Sequence, residues 1–224
     1  MISRKETDDV SGAARPARGD SPPDAPDESP IETEEEEEVG PQPPPPQNVA
    51  ELAAACVRFV ATRYGAALDF APETLSFVDH WLHEARREIA ERPEALELVQ
   101  AAAGAYLGEV IRRRFGGTWV SEGDHADWRL ELERVYCAFN PIGMTREALL
   151  LEPADGWHAH FALDPGESDA IEQRLAALPA VPDEEYYAPS TRFDVVSILF
   201  EALRNGMRAR GLGDVRFTHE DYSS

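Results

Sequence analysis

The chain has 224 residues, with 43 acidic side chains against 21 basic ones, and therefore a formal net charge of −22 at pH 7. Nucleic-acid backbones and anionic lipid headgroups carry the same sign, so this charge opposes nonspecific binding to either and attracts basic partners. No apolar window is long enough to span a bilayer, and the charged first ten residues do not resemble a signal peptide. We expect a cytoplasmic protein with one ordinary domain and with neither a nucleic-acid nor a membrane partner.

The first 47 residues contain almost no apolar side chains. They hold thirteen acidic residues against four basic ones, and the acidic run Glu34–Glu38 precedes the proline run Pro43–Pro46. Such a segment cannot bury enough apolar surface to offset its ordering entropy. We predict a disordered, acidic, proline-rich tail over residues 1–47 and a single α+β domain over residues 48–224. The tail is either a solubilising segment, or a docking segment in which the acids bind a basic protein or the prolines bind an aromatic groove.

Apolar residues at helical spacing predict the first two helices of the domain. Asn48, followed three residues later by Glu51, indicates a capping box at the start of the first helix, which ends near Gly65. Pro72 marks the first turn of the second helix. One face of the second helix is expected to be buried, namely Leu75, Val78, Leu82, Ala85 and Ile89, and the other to be solvated, namely His80, His83, Glu84 and Arg87.

The third predicted helix begins at Pro93 and is the expected centre of the domain, because it is apolar on two sides. One stripe consists of Leu96, Val99, Ala103, Tyr106, Leu107 and Val110, and the other of Ala101, Gly104, Gly108, Ile111 and Phe115. Each helix-interior glycine costs about 1 kcal/mol relative to alanine, so Gly104 and Gly108 predict the close approach of another backbone. Gly116 and Gly117 are expected to end the helix.

Charged residues on the third helix have an electrostatic explanation. Glu109 lies off both apolar stripes, within reach of Arg112 and Arg113, and we interpret it as a surface ion pair. The run Arg112–Arg114 lies where cations meet the negative end of the helix dipole. The sequence shows no polar cleft or partner that would make Glu109 a general acid or base.

Alternating apolar residues predict strands after the glycines, in some cases separated by turns. The first three predicted elements are a strand at Thr118–Val120, which contains Trp119, a half-exposed strand at Trp128–Leu132 and a buried strand at Val135–Phe139. Met144–Leu151 is predicted to be a short helix, with another strand as the alternative, and Trp157–Leu163 is predicted to be a strand. Further on, the pattern predicts a helix at Glu167–Leu178, a loop at Pro182–Pro189 and an edge strand at Val215–Phe217. A last helix is predicted from Ser190 or Thr191 to Gly211, and its expected buried residues are Phe193, Val196, Leu199, Phe200, Leu203 and Met207.

Two histidine pairs are the metal candidates. His158 and His160 alternate on a predicted strand, so both side chains project from one face and can share an ion, but a third ligand such as His125 or His219 cannot be placed from sequence. His80 and His83 do not have the i, i+4 spacing of zinc proteases. We expect these histidines to face solvent, and the alternative is that His158 and His160 bind a metal ion. We expect Cys56 and Cys137 to be buried thiols.

Three stretches resemble an uncharacterised bacterial family of small α+β proteins, a domain of unknown function. They are Tyr106–Arg113, Gly116–Trp119 and Phe139–Met144, and the resemblance covers Asn48 to Leu178. It implies an α+β fold and structural roles for Gly104, Gly108, Gly116, Gly117 and Trp119. It carries no established activity. Some members lie in genomic neighbourhoods suggestive of toxin immunity, which implies partner binding.

The residues and the resemblance together predict a helical layer packed on a small, mostly antiparallel sheet. The expected function is a cytoplasmic protein-interaction module, immunity-like or regulatory, that binds another protein of basic character; no catalytic residue and no cofactor is evident. The alternative is a metal-dependent hydrolase in which His158 and His160 hold an ion that activates water. A third hypothesis is a small-ligand sensor with a pocket beside Gly104 and Gly108.

Overall fold

A computed structural model describes residues 42–223. The part of the predicted tail up to residue 41 lies outside the described residues. The helices are α1 Gln47–Tyr64, α2 Leu75–Glu91, α3 Ala95–Phe115, α4 Pro141–Leu150, α5 Pro165–Ala176, α6 Asp183–Tyr186, α7 Pro189–Ala209 and α8 His219–Tyr222. The strands are β1 Gly117–Val120, β2 Arg129–Leu132, β3 Cys137–Phe139 and β4 Ala162–Leu163, and short 3-10 turns occupy Pro72–Thr74 and His125–Asp127.

The strands form one antiparallel sheet in the order β1-β2-β3-β4. Trp119 pairs with Leu130, Leu130 with Phe139, and Ala138 with Ala162. Helix α3 contacts both β1 and β2, and helices α1, α2, α4 and α7 pack against it. The predicted fold class, a helical layer on a small antiparallel sheet, is therefore confirmed.

Helix α3 is the centre of the domain. Every residue from Gln100 to Arg112 is buried, because α1 and α4 pack closely against the helix and the sheet covers its end. A Cβ added at Gly104 would lie 2.5 Å from the Cα of Ile142 in α4. The prediction that another backbone approaches this glycine is thus confirmed, and the neighbouring helix is α4.

The start of α4 follows from local chemistry. Asn140 breaks β3 and accepts hydrogen bonds at its side-chain oxygen from the backbone nitrogens of Ile142 and Gly143, at 2.9 and 3.2 Å. Pro141 occupies the first helical turn, where its missing N–H costs no hydrogen bond. The predicted helix in this region is confirmed, although it begins three residues earlier than Met144.

The predicted apolar faces of α2 and α7 are both buried. Gly65 ends α1 in the left-handed conformation, as predicted. The prediction of a capping box that starts at Asn48 is wrong, because Pro46 is the N-cap and Asn48 lies within the helix. The side chain of Asn48 instead exchanges two hydrogen bonds of 3.0 Å with Ser121, which ties the start of α1 to the end of β1.

The outer face of β2 is not half-exposed as predicted. Glu131 is buried, receives a 2.6 Å hydrogen bond from Arg129 Nε, and lies 3.0 Å from the Nδ1 atom of His219. The C-terminal segment covers this face, since the Tyr222 hydroxyl donates to the backbone oxygen of Leu132 at 2.7 Å. A two-residue period indicates which side chains share a face, but it does not show that a distant segment will cover that face.

Two further predicted segments differ from the structure. Val215–Phe217 forms no strand, although Phe217 N donates to the backbone oxygen of Glu133 at 2.7 Å. The predicted loop over Pro182–Pro189 contains the short helix α6 and leads directly into α7, which begins at Pro189.

Within residues 42–223, no helix combines the length and the apolar character that crossing a bilayer requires.

Candidate functional site

Four residues of the predicted structural motif, Gly108, Gly116, Gly117 and Trp119, lie at the C-terminal end of α3, while Gly104 lies further back against α4. A Cβ added at Gly108 would lie 2.1 Å from the Trp119 ring, so the indole packs directly on the bare helix surface. Gly116 has a positive φ of 77° where α3 ends, and Gly117 begins β1. Because this connection is short, Trp119 in β1 packs back against α3.

Glu109 is the most buried charged group at this end of the helix, with 1 % of its surface exposed. Its carboxylate accepts hydrogen bonds from Arg112 Nε at 2.8 Å and Arg112 Nη2 at 3.0 Å, and from Trp119 Nε1 at 3.0 Å. The predicted ion pair with Arg112 is therefore present, but its expected position at the surface is wrong, because the pair is buried. The signal was present in the sequence: with apolar stripes on two sides, α3 has little solvent-facing surface left for Glu109.

A second buried ion pair joins α4 to α7. Arg192 Nη2 donates to Glu147 Oε2 at 2.7 Å, and both side chains are almost completely buried. The other carboxylate oxygen of Glu147 accepts from the backbone nitrogen of Ala154 at 3.3 Å. Sequence analysis missed this pair, because its members are 45 residues apart and nothing local to either residue indicates the other.

His158 and His160 both lie exposed in a loop. The predicted strand over Trp157–Leu163 is wrong except at Ala162–Leu163, because the chain reverses here and His158 has a positive φ of 50°. The backbone oxygen of His158 accepts a 2.8 Å hydrogen bond from Asn140 N. Among the residues that the structure describes, no group of three or more His, Cys, Asp or Glu side chains could hold a metal ion.

A cleft of about 680 Å³ lies between α2 and the start of α7. Glu184 on α6 contacts the Nδ1 atom of His83 and accepts a 2.7 Å hydrogen bond from Arg86 Nη1, and these partners hold the pKa of its carboxyl below the usual value. His80 and Glu84 form a separate pair at 3.6 Å. The histidines of α2 thus contact carboxylates of α2 and α6, an arrangement that ties these helices together.

Asp79 also lines this cleft, and its burial disfavours the ionised form of its carboxyl group. Burial raises its pKa above the usual value of about 3.9, although a 3.1 Å hydrogen bond from the backbone nitrogen of Ser190 acts in the opposite direction. A folded-state pKa above the unfolded value means that this group favours folding most below pH 4. That contribution is lost as the pH rises through the folded-state pKa.

Asp79→Asn should therefore be more stable than the wild type by a margin that grows between pH 4 and pH 7. The neutral amide oxygen can still accept from Ser190 N without the desolvation of a charge. Thermal denaturation at pH 4, 5.5 and 7 measures the margin, with the exposed Asp169→Asn as control. A margin that shrinks as the pH rises would contradict the assigned direction of the pKa shift.

An acidic cleft of about 500 Å³ lies at the N-terminal end of α3. Glu94 and Glu97 line it from the start of the helix, and Asp124 lines it from the loop between β1 and β2. The opposite wall contains Trp157 and Arg146. The Arg146 guanidinium lies 4.9 Å from the centre of the Trp157 ring and donates a 3.0 Å hydrogen bond to the side-chain oxygen of Gln100.

Both cysteines are buried free thiols, as predicted. Burial raises the pKa of Cys56 to about 12 and that of Cys137 further still, so neither forms a thiolate near neutral pH. Neither thiol is therefore available as a nucleophile.

The comparisons with known proteins give no relative for this chain: it matches no family model, no curated protein and no solved structure.

Proposed function

We propose that the protein is an interaction module that binds a basic segment of a partner protein in the acidic cleft at the start of α3. The observation that carries the proposal is the convergence of Glu94, Glu97 and Asp124 beside the exposed part of Trp157. An immunity-like or regulatory protein would use such a cleft to hold a basic partner.

The surface charge favours a basic partner. Residues 51–224 contain 30 acidic side chains against 17 arginines and no lysine, so this part alone has a formal charge of −13. A negative surface accelerates the encounter with a positive partner and repels anionic ones. Long-range attraction alone does not select a binding site, which is why the geometry of the cleft matters.

The three carboxylates are not all explained by helix stability. Glu94 and Glu97 lie at the N-terminal end of α3, where negative side chains stabilise the helix dipole. Asp124 is not part of this helix: it belongs to the loop between β1 and β2, and it lines the same cleft. The lining of the cleft contains these three carboxylates and one arginine, Arg146, so with His125 neutral the cleft has a net negative charge that suits a basic side chain.

Trp157 offers a second kind of contact to such a side chain. Its ring already stacks against the Arg146 guanidinium, so its position and exposure suit a cation. A guanidinium over an indole ring contributes about 0.5–2 kcal/mol, depending on how much water is excluded. An arginine of the partner that contacts both the ring and a carboxylate would be held by the two interactions together.

The test is binding of a fluorescent arginine-glycine repeat peptide at low and high salt. We expect the triple variant Glu94→Lys, Glu97→Lys, Asp124→Lys to bind at least about tenfold more weakly than the wild type, because opposed charges are replaced by like charges. The matched control is Asp169→Lys, Glu172→Lys, Glu201→Lys, which changes the net charge equally at exposed helix positions.

The control separates a specific cleft from general attraction. If both triple variants lose the same affinity, the peptide binds the overall charge and the cleft is not the site. Melting temperatures of the two variants must be compared first, because charge reversal at the start of α3 opposes its dipole.

A further inference from the structure

The proline run lies against the groove formed by the end of α3 and β1. Pro46 has φ −52° and ψ 148°, the angles of a polyproline II helix, and it caps α1. The backbone oxygen of Pro43 accepts a 3.0 Å hydrogen bond from Arg112 Nη1. We call Pro43–Pro46 the strap; a space of about 300 Å³ lies between it and Arg112, Gly117, Thr118 and Trp119.

The groove has the chemistry that recognises prolines. A proline run has no backbone N–H and can only accept hydrogen bonds, so a binding surface must supply donors and an aromatic wall. Arg112 supplies a guanidinium donor and Trp119 supplies the ring. These are the groups that line this space, and the strap already uses the donor.

The walls of the groove are held in place by Glu109. Its carboxylate binds Nε and Nη2 of Arg112 and the indole nitrogen of Trp119, which leaves Arg112 Nη1 directed at the strap. The groove is thus fixed independently of the strap. A preorganised surface loses little entropy when an extended ligand binds to it.

The strap itself is weakly held. Pro43 and Pro44 are exposed, Pro45 and Pro46 are half-buried, and the space beneath them is not filled by side chains. Among the described residues, the hydrogen bond from Arg112 is the one that joins Pro43 to the groove, and a competing ligand with a backbone carbonyl can replace it. The strap therefore resembles an exchangeable ligand more than a packed part of the core.

We propose that this groove is a polyproline-binding site, that the strap is its intramolecular ligand, and that a proline-rich segment of a partner protein displaces it. The strap is joined directly to α1, so it stays close to the groove and competes with any external ligand. The groove shares no lining residue with the acidic cleft, and the proposal stands independently of that site.

The test uses the full chain and a fluorescent peptide with the sequence of residues 42–47, Gln-Pro-Pro-Pro-Pro-Gln. In the strap variant, Pro43, Pro44 and Pro45 are each replaced with Ser, and Pro46 is kept as the cap of α1. We expect this variant to bind the peptide at least about tenfold more tightly than the wild type, because the competing ligand is gone. A peptide with serines in place of the prolines should not bind.

A groove variant then locates the binding. Thr118→Glu, made in the strap variant, places a longer side chain with no hydrogen-bond donor in the groove from an exposed strand position and should abolish peptide binding. Circular dichroism and melting temperature establish that each variant is folded. A folded strap variant that does not bind, that binds no better than the wild type, or that keeps its affinity with Thr118→Glu would overturn the proposal.

Discussion

Glu109→Leu is expected to lower the free energy of unfolding by about 3–5 kcal/mol, the cost of removing one member of a buried ion pair. Leucine fills much of the volume of the glutamate, so the loss of stability measures mainly the effect of removing the charge. The Arg112 guanidinium would remain buried with a single hydrogen bond to Pro43 O, and the Trp119 indole N–H would lose its acceptor. Urea denaturation measures the change.

Two further variants show whether the loss comes from the ion pair. Glu88→Leu removes a carboxylate from an exposed position on α2 and should change stability by less than about 0.5 kcal/mol. The double variant Glu109→Leu, Arg112→Met should recover a large part of the loss, because no isolated charge remains. A loss below about 1 kcal/mol for Glu109→Leu alone would mean that the pair behaves as an exposed one.

Gly104→Ala is expected to destabilise the protein by about 2 kcal/mol, although alanine is the better helix former. The added Cβ would lie 2.5 Å from the Ile142 Cα and 2.8 Å from its nitrogen, so α3 and α4 would have to separate. Overpacking of a core costs about 1–3 kcal/mol, and contact with backbone leaves no side-chain rotation that relieves it. Melting temperature and urea denaturation measure the change.

Gly206→Ala is the matched control, because Gly206 also lies inside a helix, α7, but an added Cβ would meet only the Arg210 side chain, at 4.0 Å. Here the helix propensity of alanine is unopposed, and stability should rise by about 0.5–1 kcal/mol. The two variants therefore have opposite expected signs. Equal effects would show that helix propensity, not the contact between α3 and α4, decides the outcome at Gly104.

Most helices follow directly from the sequence. The stripe from Leu75 to Ile89 is buried as its period predicts, and α7 buries its predicted face from Phe193 to Met207. The two-sided apolar character of α3 correctly identified it as the centre of the domain. These predictions succeed because the period of apolar residues along a helix is a local property that determines which face can be buried.

Predictions about the candidate sites were less successful than those about the helices. The strand that was expected to present His158 and His160 side by side is a loop, since Gly156, with φ 79°, and His158 both turn the backbone. The acidic cleft combines Glu94 and Glu97 with Asp124 and Trp157, residues that belong to three separate parts of the chain. No local pattern indicates that such residues converge.

The sequence by itself determined the longer helices, the central position of α3 and the close approach of another backbone at Gly104. Only the tertiary structure decided that Glu109 is buried and which groups surround it. The physical reason is that a charge is buried only where partners replace its water, and those partners lie elsewhere in the chain. His219, which covers Glu131 from 88 residues away, shows how far away such a partner can be.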